Sequence, residues 1–407
     1  MADLPVWAQR IRALREARGW TQAAAAEEMR RHSDKTLPDH EHLVRRWKAW
    51  ELAENKPGRH YAGLVAATLG TVTASLFPPD NAARHDAELL TATGMDTLEI
   101  VSRLRASDVA DATLQSVRIV VERLCAEYAR GNPVDLIAES QSWLRRIAAL
   151  QEKRLSFAQR RDTLELAGWL TLLIGCLEYD LGRHRAAEGS RRAALGLGAE
   201  IDNPGILGWA HEMRAWFALT SGDHRGAIAA ARTGSDAAGD HSVAVQLLAQ
   251  EAKAWARLGD ENAMRTALGR GRDLLENLPY PEDIDNHFVV DPAKYDFYVM
   301  DCHRSIGDDR LAQALAEDVI RSGTDFRGDE RSPMRIAEAR ITLGVVAARA
   351  GDLDHALACG NQALSTARTS RPSMVMIAGD LASVLSARYP GVPDVRDYTA
   401  RIQALTG

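Results

Sequence analysis

The sequence predicts an all-α protein in which a small N-terminal helical domain precedes a long array of paired helices. Three observations support this. Alanine and leucine dominate the chain after about residue 108, with few β-branched runs, and glycine-containing breaks recur there. The first 79 residues instead hold short amphipathic segments between turn residues. A chain of 407 residues also exceeds one ordinary compact core.

Positive charge is concentrated at the N-terminus, although the whole chain is acidic. Residues 1–60 contain 12 Lys and Arg against 9 Asp and Glu, whereas the remainder contains 38 against 47, and the total formal charge is −6. A basic N-terminal region on an acidic body confines phosphate contacts to that region. The composition therefore excludes a globally basic nucleic-acid binder.

The cysteine and hydropathy patterns indicate a reduced, non-membrane setting. Cys125, Cys176, Cys302 and Cys359 lie far apart and form no CxxC pair. Neither a metal cluster nor a disulfide framework is therefore expected, and reduced thiols fit a cytoplasmic location best. The N-terminus lacks the apolar segment of a signal peptide, and no run of 18 apolar residues occurs, so no membrane partner is expected.

Five short helices are predicted within residues 1–79. The first spans about 5–18 and ends before Gly19, since glycine adopts the left-handed conformation common after a helix. Thr21 is placed to cap the second helix, TQAAAAEEMRR. A polar interval, HSDKTLPDHEH, leads to the third helix, and the last amphipathic segment ends at Pro78-Pro79.

The third segment, LVRRWKAWE, separates aromatic from cationic side chains. At about 100° per residue, Leu43, Trp47 and Trp50 form one buried stripe. The opposite face and its flank carry His42, Arg45, Arg46 and Lys48. Such a helix is either a plain solvated amphipathic helix or one that offers its cations to a polyanion.

Two motifs here, RIRALREARGWTQ and VRRWKAWE followed by a further apolar helix, resemble the Cro/repressor-type (XRE-class) helix-turn-helix domain, particularly of actinobacterial regulators. The resemblance covers about a fifth of the chain. It implies a DNA-binding domain over residues 1–79, whose third helix enters the major groove of operator DNA. It also implies structural roles for Trp47, Trp50 and Glu51.

The resemblance further implies which residues contact DNA. Gln22, with the amides at the start of the second helix, matches a phosphate contact. Arg45, Arg46 and Lys48 match positions that face the major groove, where arginine reads guanine. The predicted DNA-binding residues are Thr21, Gln22, His42, Arg45, Arg46 and Lys48.

The chain departs from this family at one place. About ten more residues than usual separate the TQ of the second helix from the WE of the third, and the surplus lies around 32–42. It is expected either to lengthen the third helix at its N-terminus or to form a small loop beside the DNA backbone. No cysteine or acidic ligand pattern accompanies His32, His40 and His42, so no metal site is predicted.

Helical breaks recur through the long acidic region. Glycines stand at 182, 222, 259, 307 and 351, at intervals of 40, 37, 48 and 44 residues. Five residues after each glycine comes a residue expected to press the second helix of a pair against the first: Ala187, Ala227, Met264, Ala312 and Ala356. Units of this kind bury their apolar faces only by stacking on neighbours.

The pattern resembles the tetratricopeptide repeat, which implies a right-handed helical solenoid over residues 108–407. Further pairs are expected at 108–131 and 133–155, with a terminal pair after Pro372, about seven in all. An irregular helical bundle is the alternative.

The resemblance implies that the first helix of each pair faces a concave groove at fixed positions. Counting from each glycine yields aromatic residues interleaved with single polar groups, as in a recognition groove. The predicted groove residues are Trp169, Tyr179, Trp209, Glu212, Trp216, Gln246, Lys253, Lys294, Phe297 and Asp301. The same count adds Leu172, Cys176, Glu338 and Ile341, with helix packing as the alternative for each. The segment 277–292, NLPYPEDIDNHFVVDP, is expected to cover the groove as a flap.

These features together predict a one-component transcription regulator. Residues 1–79 are expected to bind double-stranded operator DNA, residues 80–107 to couple the two parts as a helical linker, and residues 108–407 to sense an effector. The effector is left open between a signal peptide, a small molecule and a protein. A homodimer is expected, because two such domains read half-sites about one DNA turn apart. The expected location is the cytoplasm, on the nucleoid.

The main alternative is a scaffold or adaptor whose helix-turn-helix contacts a protein. An enzyme is not expected, since no P-loop, zinc-protease or nucleophile-elbow motif occurs. No catalytic residue, metal ligand or cofactor is therefore assigned.

Overall fold

The protein is α-helical throughout the part of the chain that the structure describes. The computed structural model describes residues 4–77, 109, 111–153 and 155–405, and these contain nineteen α-helices. Their one β-feature is an isolated bridge between Thr324 and Glu330. The predicted all-α class is confirmed. The predicted coupling segment, residues 80–107, lies outside the described residues.

The head consists of five helices: α1 (Val6–Ala17), α2 (Gln22–Arg31), α3 (His40–Glu51), α4 (Arg59–Thr68) and α5 (Thr73–Leu76). Gly19 follows α1 with a φ of 68°, and the hydroxyl of Thr21 accepts a hydrogen bond from the amide of Ala24 at 3.1 Å. Both local predictions are confirmed. A positive φ at Gly19 and a cap at Thr21 end one helix and start the next within a few residues.

The surplus residues between α2 and α3 form a loop. Helix α2 ends at Arg31 and α3 begins only at His40. The Arg30 guanidinium donates to the carbonyl of Pro38 at 2.6 Å, and the Asp39 carboxylate caps α3 through the amide of His42 at 2.9 Å. Of the predicted surplus, residues 32–39 therefore form a loop, whereas residues 40–42 belong to the first turn of α3.

The body consists of fourteen helices: α6 (Asp111–Glu127), α7 (Pro133–Leu150), α8 (Phe157–Asp180), α9 (His184–Glu200), α10 (Pro204–Thr220), α11 (His224–Ala238), α12 (Val243–Leu258), α13 (Glu261–Asn277), α14 (Pro292–Ile306), α15 (Asp309–Gly323), α16 (Pro333–Ala350), α17 (Leu353–Leu364), α18 (Arg371–Arg388) and α19 (Pro393–Ala404). These make seven pairs among the described residues, as predicted. The separate pairs predicted at 108–131 and 133–155 are wrong, because α6 and α7 are the two halves of one pair. The break that divides them is Gly131-Asn132-Pro133, where Asn132 caps the amide of Val134 at 2.9 Å.

Gly-Asp steps create the tight turn within most body pairs. At Gly259 and Gly307 the φ values are 76° and 84°, and each glycine ends its helix in the left-handed conformation. The next residue, Asp260 or Asp308, caps the following helix through its carboxylate. The small residues predicted five positions after each glycine are all fully buried: Ala187, Ala227, Met264, Ala312 and Ala356.

The body closes on itself around a central cavity. The first helices of successive pairs pack against one another from α8 to α18, and α18 reaches back to contact α8 and α10. Arg368, just before α18, forms a buried ion pair of 2.7 Å with Asp180 at the end of α8. The indole nitrogen of Trp216 donates to the hydroxyl of Ser373 at 2.9 Å. These contacts join the last pair to the earlier ones.

Candidate functional site

Helix α3 presents its cations to solvent. Arg45, Arg46 and Lys48 are exposed, whereas the stripe of Leu43, Trp47 and Trp50 is buried in the head core. The Arg45 side chain is 70% exposed and lies 3.5 Å from Glu41 one turn earlier. The Arg46 guanidinium lies 4.8 Å from the centroid of the Tyr61 ring. A weak surface pair and a ring contact leave these cations accessible to a partner.

A buried carboxylate fixes α3 against α1 and α2. Glu51 accepts hydrogen bonds from Arg15 at 2.5 and 3.0 Å, from the Trp47 indole at 2.8 Å and from the Gln22 amide at 2.8 Å. Burial disfavours ionisation of Glu51, but these donors outweigh it and hold its pKa below the usual value. The charge on Glu51 is therefore retained and orients the aromatic face of α3.

The remaining predicted DNA-binding residues lie near the start of α2 and of α3. Thr21 and His42 are exposed, and the His42 ring nitrogen Nδ1 lies 2.7 Å from the Asp39 carboxylate. Gln22 is half-buried and its amide is engaged by Glu51. A phosphate contact at this helix N-terminus would therefore use the backbone amides, because the Gln22 side-chain amide already donates to Glu51.

A pocket occupies the interior of the body, with a cavity volume of about 140 Å³. Its walls come from α10, α12, α14, α16, the start of α18 and the segment before α14. The residues with polar, charged or aromatic side chains that define it are Tyr128, Arg130, Glu212, Trp216, Gln246, Gln250, Lys253, Asp285, Asn286, His287, Lys294, Phe297, Tyr298, Arg331, Ser332, Arg335, Glu338, Ser370 and Ser373. The lining is thus mixed, with aromatic walls and several charged groups.

Six of the ten predicted groove residues line this pocket: Glu212, Trp216, Gln246, Lys253, Lys294 and Phe297. The structure brings them together from three helices. The other four, Trp169, Tyr179, Trp209 and Asp301, lie outside its lining.

Packing and charge pairing occupy those four residues. Trp169 and Trp209 pack on Phe288, with ring centroids 5.3 and 5.2 Å apart. Tyr179 stacks on Phe217 at 3.9 Å. Asp301 is fully buried and binds Arg257 at 2.8 Å, with Lys253 at 3.5 Å. Helical spacing alone does not separate a residue that faces the cavity from one that faces the next helix.

The segment predicted as a flap forms one wall of the pocket. The His287 ring lies 3.8 Å from the Tyr128 ring, and the His287 amide donates to the Cys125 carbonyl at 3.1 Å. Phe288 is buried against the tryptophans of α8 and α10. The segment therefore enters the interior and is anchored there by an aromatic side chain.

Two carboxylates of the pocket have no ion pair within the described residues. Glu212 is buried and one of its oxygens accepts both the Gln246 amide at 2.8 Å and the Gln250 amide at 2.7 Å. Burial raises the pKa of Glu212. Burial likewise raises the pKa of Glu338, on α16, to about 7.

Three of the five cations that line the pocket are engaged by acceptors of the protein. Lys294 donates to the carbonyls of His287 and Val289 at 2.7 and 3.1 Å, and burial lowers its pKa to about 7. Lys253 is paired with Asp301, as described above. Arg335 lies 3.4 Å from Asp291. Buried charge is costly, and each of these three cations is held by an acceptor of the protein itself.

Several pocket residues were missed from the sequence, among them Tyr128, Gln250, Tyr298 and Arg335. Gln250 and Tyr298 follow the predicted Gln246 and Lys294 by four residues, so the i, i+4 rule could have found them. Tyr128 had no such signal, because the two pairs predicted at 108–131 and 133–155 gave no groove positions in this part of the chain.

The head is docked onto the body through a buried arginine. Arg10 of α1 binds Asp318 of α15 at 2.8 Å and Asp296 of α14 at 2.5 Å. Asp296 also accepts a hydrogen bond from the Thr71 hydroxyl at 2.7 Å and from that of Ser75. Burial opposes the charge on Arg10, but the two carboxylates outweigh it and raise its pKa. Arg10, Asp296 and Asp318 are called the docking cluster below.

Helix α14 touches both the pocket and the head. Lys294, Phe297 and Tyr298 line the pocket, whereas Asp296 belongs to the docking cluster. The two sites therefore share one helix, on which Asp296 directly precedes Phe297. A displacement of α14 would therefore alter both the pocket and the docking cluster.

Fold and pocket together define an all-α protein with a helical-pair array around a central polar pocket. No protein-family model matches the chain, and no curated protein is significantly similar to it. Within the described residues, no helix has the length and apolar character to cross a bilayer, and no cluster of three or more metal-binding side chains occurs.

Proposed function

We propose that the protein is a DNA-binding transcription regulator whose body takes up an effector and thereby adjusts operator binding by the head. The observation that carries the proposal is the accessible cationic surface of α3. Arg45, Arg46 and Lys48 stand on a helix whose opposite face is packed into the head. Cations on a rigid helix suit both phosphate oxygens and guanine edges in the major groove.

Effector binding would act on the head through α14. An effector changes an equilibrium only when it binds one arrangement better than another. The pocket side of α14 carries Lys294 and Phe297, and its other side carries Asp296 of the docking cluster. An effector that shifts α14 would strengthen or weaken the ion pair between Asp296 and Arg10. It would thereby change the fraction of molecules in which the head can bind DNA.

The test is a binding measurement on duplexes selected from a random pool by the full-length protein. Arg45→Ala plus Arg46→Ala should lower affinity for the selected duplex at least about thirtyfold, since each good base contact contributes about 1–3 kcal/mol. The slope of log affinity against log salt should also become shallower, by at most about two, because the variant removes two cations that can neutralise DNA phosphates.

A matched control removes the same charge from the body. Arg192 and Arg265 are exposed to a similar degree, at 72% and 65%, and lie on α9 and α13. Arg192→Ala plus Arg265→Ala should leave DNA affinity within about threefold of wild type. If both double variants bind alike, α3 does not contact DNA.

The same measurement separates the regulator from a scaffold whose head binds a protein. A regulator loses affinity steeply between low and moderate salt. If no duplex is enriched, while the protein co-purifies at high salt with one protein through Arg45 and Arg46, the scaffold is the correct function.

A further inference from the structure

The central pocket contains polar atoms that the protein itself leaves without partners. Among its lining residues these are Gln246 Oε1, Gln250 Oε1 and Glu338 Oε2, which have no hydrogen-bond partner within the described chain. A buried polar atom without a partner is costly. All three are amide or carboxyl oxygens, so the missing partner supplies hydrogen-bond donors.

The orientation of the two glutamines follows from Glu212. Each turns its amide nitrogen to the Glu212 carboxylate, which only accepts. A flip of either side chain would set an amide oxygen against a carboxylate oxygen. The amide oxygens of Gln246 and Gln250 therefore point away from Glu212 and remain hydrogen-bond acceptors without a partner in the described chain.

Charge selects among the possible donors. Neither Glu212 nor Glu338 has an ion-pair partner in the described residues, whereas the lining cations Lys253, Lys294 and Arg335 are engaged by acceptors of the protein. Of the other two lining cations, Arg130 is exposed and Arg331 is half-buried. A neutral alcohol would satisfy hydrogen bonds but would give neither carboxylate a cation within ion-pair distance. An ammonium group brings three N–H donors and a positive charge.

The walls and the volume limit the rest of the molecule. Trp216, Phe297 and Tyr298 provide aromatic surfaces, which favour an apolar body and attract a cation by its charge. The cavity of about 140 Å³ is close in size to one that accepts benzene. The enclosed part of a ligand is therefore on the order of six to ten non-hydrogen atoms.

We propose that the pocket binds a compact primary amine, with its ammonium group held by Gln246, Gln250 and Glu338 and its apolar part against the aromatic walls. The inference names the effector class of the proposed regulator. Its test needs no DNA, so amine binding without DNA binding would overturn the regulator alone, and DNA binding without amine binding would overturn this inference alone.

The experiment is calorimetric titration of the full-length protein with three probes of one shape: benzylamine, benzyl alcohol and benzoate. Benzylamine should bind with a Kd of about 1 mM or tighter and at least about tenfold more tightly than either other probe. Equal binding of amine and alcohol, preferred binding of benzoate, or no binding of benzylamine at about 10 mM overturns the proposal.

Two variants assign the binding to the pocket. Glu338→Gln keeps the side-chain size but removes the charge, and should weaken benzylamine at least about tenfold with benzyl alcohol unchanged. Asp285→Asn removes a carboxylate that lines the same pocket but is exposed, and should change benzylamine binding less than about threefold. Equal losses in both variants would show a general charge effect and overturn the assignment. Circular dichroism spectra and thermal unfolding curves of each variant should match those of the wild type and so show that it folds.

The pH dependence supplies an independent readout. Glu338 faces Lys253 and Arg257 from α12 and Asp301 and Arg304 from α14, and burial raises its pKa to about 7. Below that pH the carboxyl is protonated, so an ammonium group must displace a proton in order to bind. Benzylamine affinity should therefore fall as the pH decreases from about 8 to about 6. Because binding releases protons, the observed binding enthalpy should also vary with the ionisation enthalpy of the buffer.

The pKa of Lys294 lies in the same range, and protonation of Lys294 also lowers benzylamine affinity. Its pKa is lowered to about 7 by burial and by Arg335, against the opposing charges of Asp291 and Glu212. As the pH falls it gains a charge that repels the amine. Glu338→Gln separates the two groups, since the variant should retain only the Lys294 part of the pH dependence. An affinity for benzylamine that is constant over this range contradicts the proposal.

Discussion

The docking cluster makes a quantitative prediction about how firmly the head is held. Arg10→Met keeps the length of the side chain and removes its charge, which leaves Asp296 without an ion pair among the described residues and Asp318 with Arg321 alone. Loss of one member of a buried ion pair costs about 3–5 kcal/mol. The lower end applies here, because Asp296 keeps the hydroxyls of Thr71 and Ser75.

About 3 kcal/mol corresponds to a shift of about 150-fold in the equilibrium between docked and undocked head. Native-state hydrogen exchange measures that shift directly. The amides of α1 and α5 should exchange up to about 150-fold faster in Arg10→Met, with the amides of α8 and α10 unchanged. Arg12→Met is the matched control, because Arg12 is on the same helix but pairs with Glu16 at the surface. It should alter protection by about 0.5 kcal/mol at most.

A double-variant cycle with Asp296→Asn tests whether the two groups act together. Asparagine can still accept the hydroxyl hydrogen bonds, so the cycle isolates the charge interaction. The coupling energy between Arg10 and Asp296 should be about 1–3 kcal/mol. Additive effects within about 0.5 kcal/mol, or unchanged protection in Arg10→Met, would refute the claim that this cluster holds the head on the body.

Three further predictions concern the head, the pocket and the body turns. Glu51→Gln should destabilise the head by about 2–4 kcal/mol in denaturant unfolding, since Arg15 loses its charged acceptor; a loss below about 0.5 kcal/mol would refute the role given to Glu51. Trp216→Ala should weaken benzylamine binding and change the effector response with DNA affinity unaltered, as measured by titration of each ligand; equal losses of both would contradict separate sites. Gly259→Ala should cost about 1 kcal/mol in thermal unfolding because of its positive φ alone, since no atom lies within 4 Å of the added carbon. A neutral effect there would contradict the turn geometry.

Local features were predictable because they depend on neighbours in the chain. The cap at Thr21, the turn at Gly19 and the Gly-Asp steps of the body each follow from one or two residue types with fixed backbone preferences. The buried and exposed faces of α3 follow from helical spacing, and the structure agrees with both. The small buried residue after each glycine was found for the same reason.

Long-range features were not predictable in this way. Arg10 is one of several arginines on an amphipathic helix, and its partners Asp296 and Asp318 are about 300 residues away. No local pattern distinguishes it from Arg12. The same limit applies to the pocket, since the closure of α18 onto α8 and the entry of residues 277–292 decide which concave residues meet the cavity. Trp209 packs against Phe288 and does not reach the cavity, because residues 277–292 fill the space beside it.

Hydroxyl-radical footprinting of a selected duplex tests the central claim about α3 most directly. Wild-type protein should protect two patches of backbone about one helical turn apart, as expected for a pair of heads on half-sites, and Arg45→Ala plus Arg46→Ala should abolish both patches with the body still folded. The same footprint from wild type and the double variant would contradict the account.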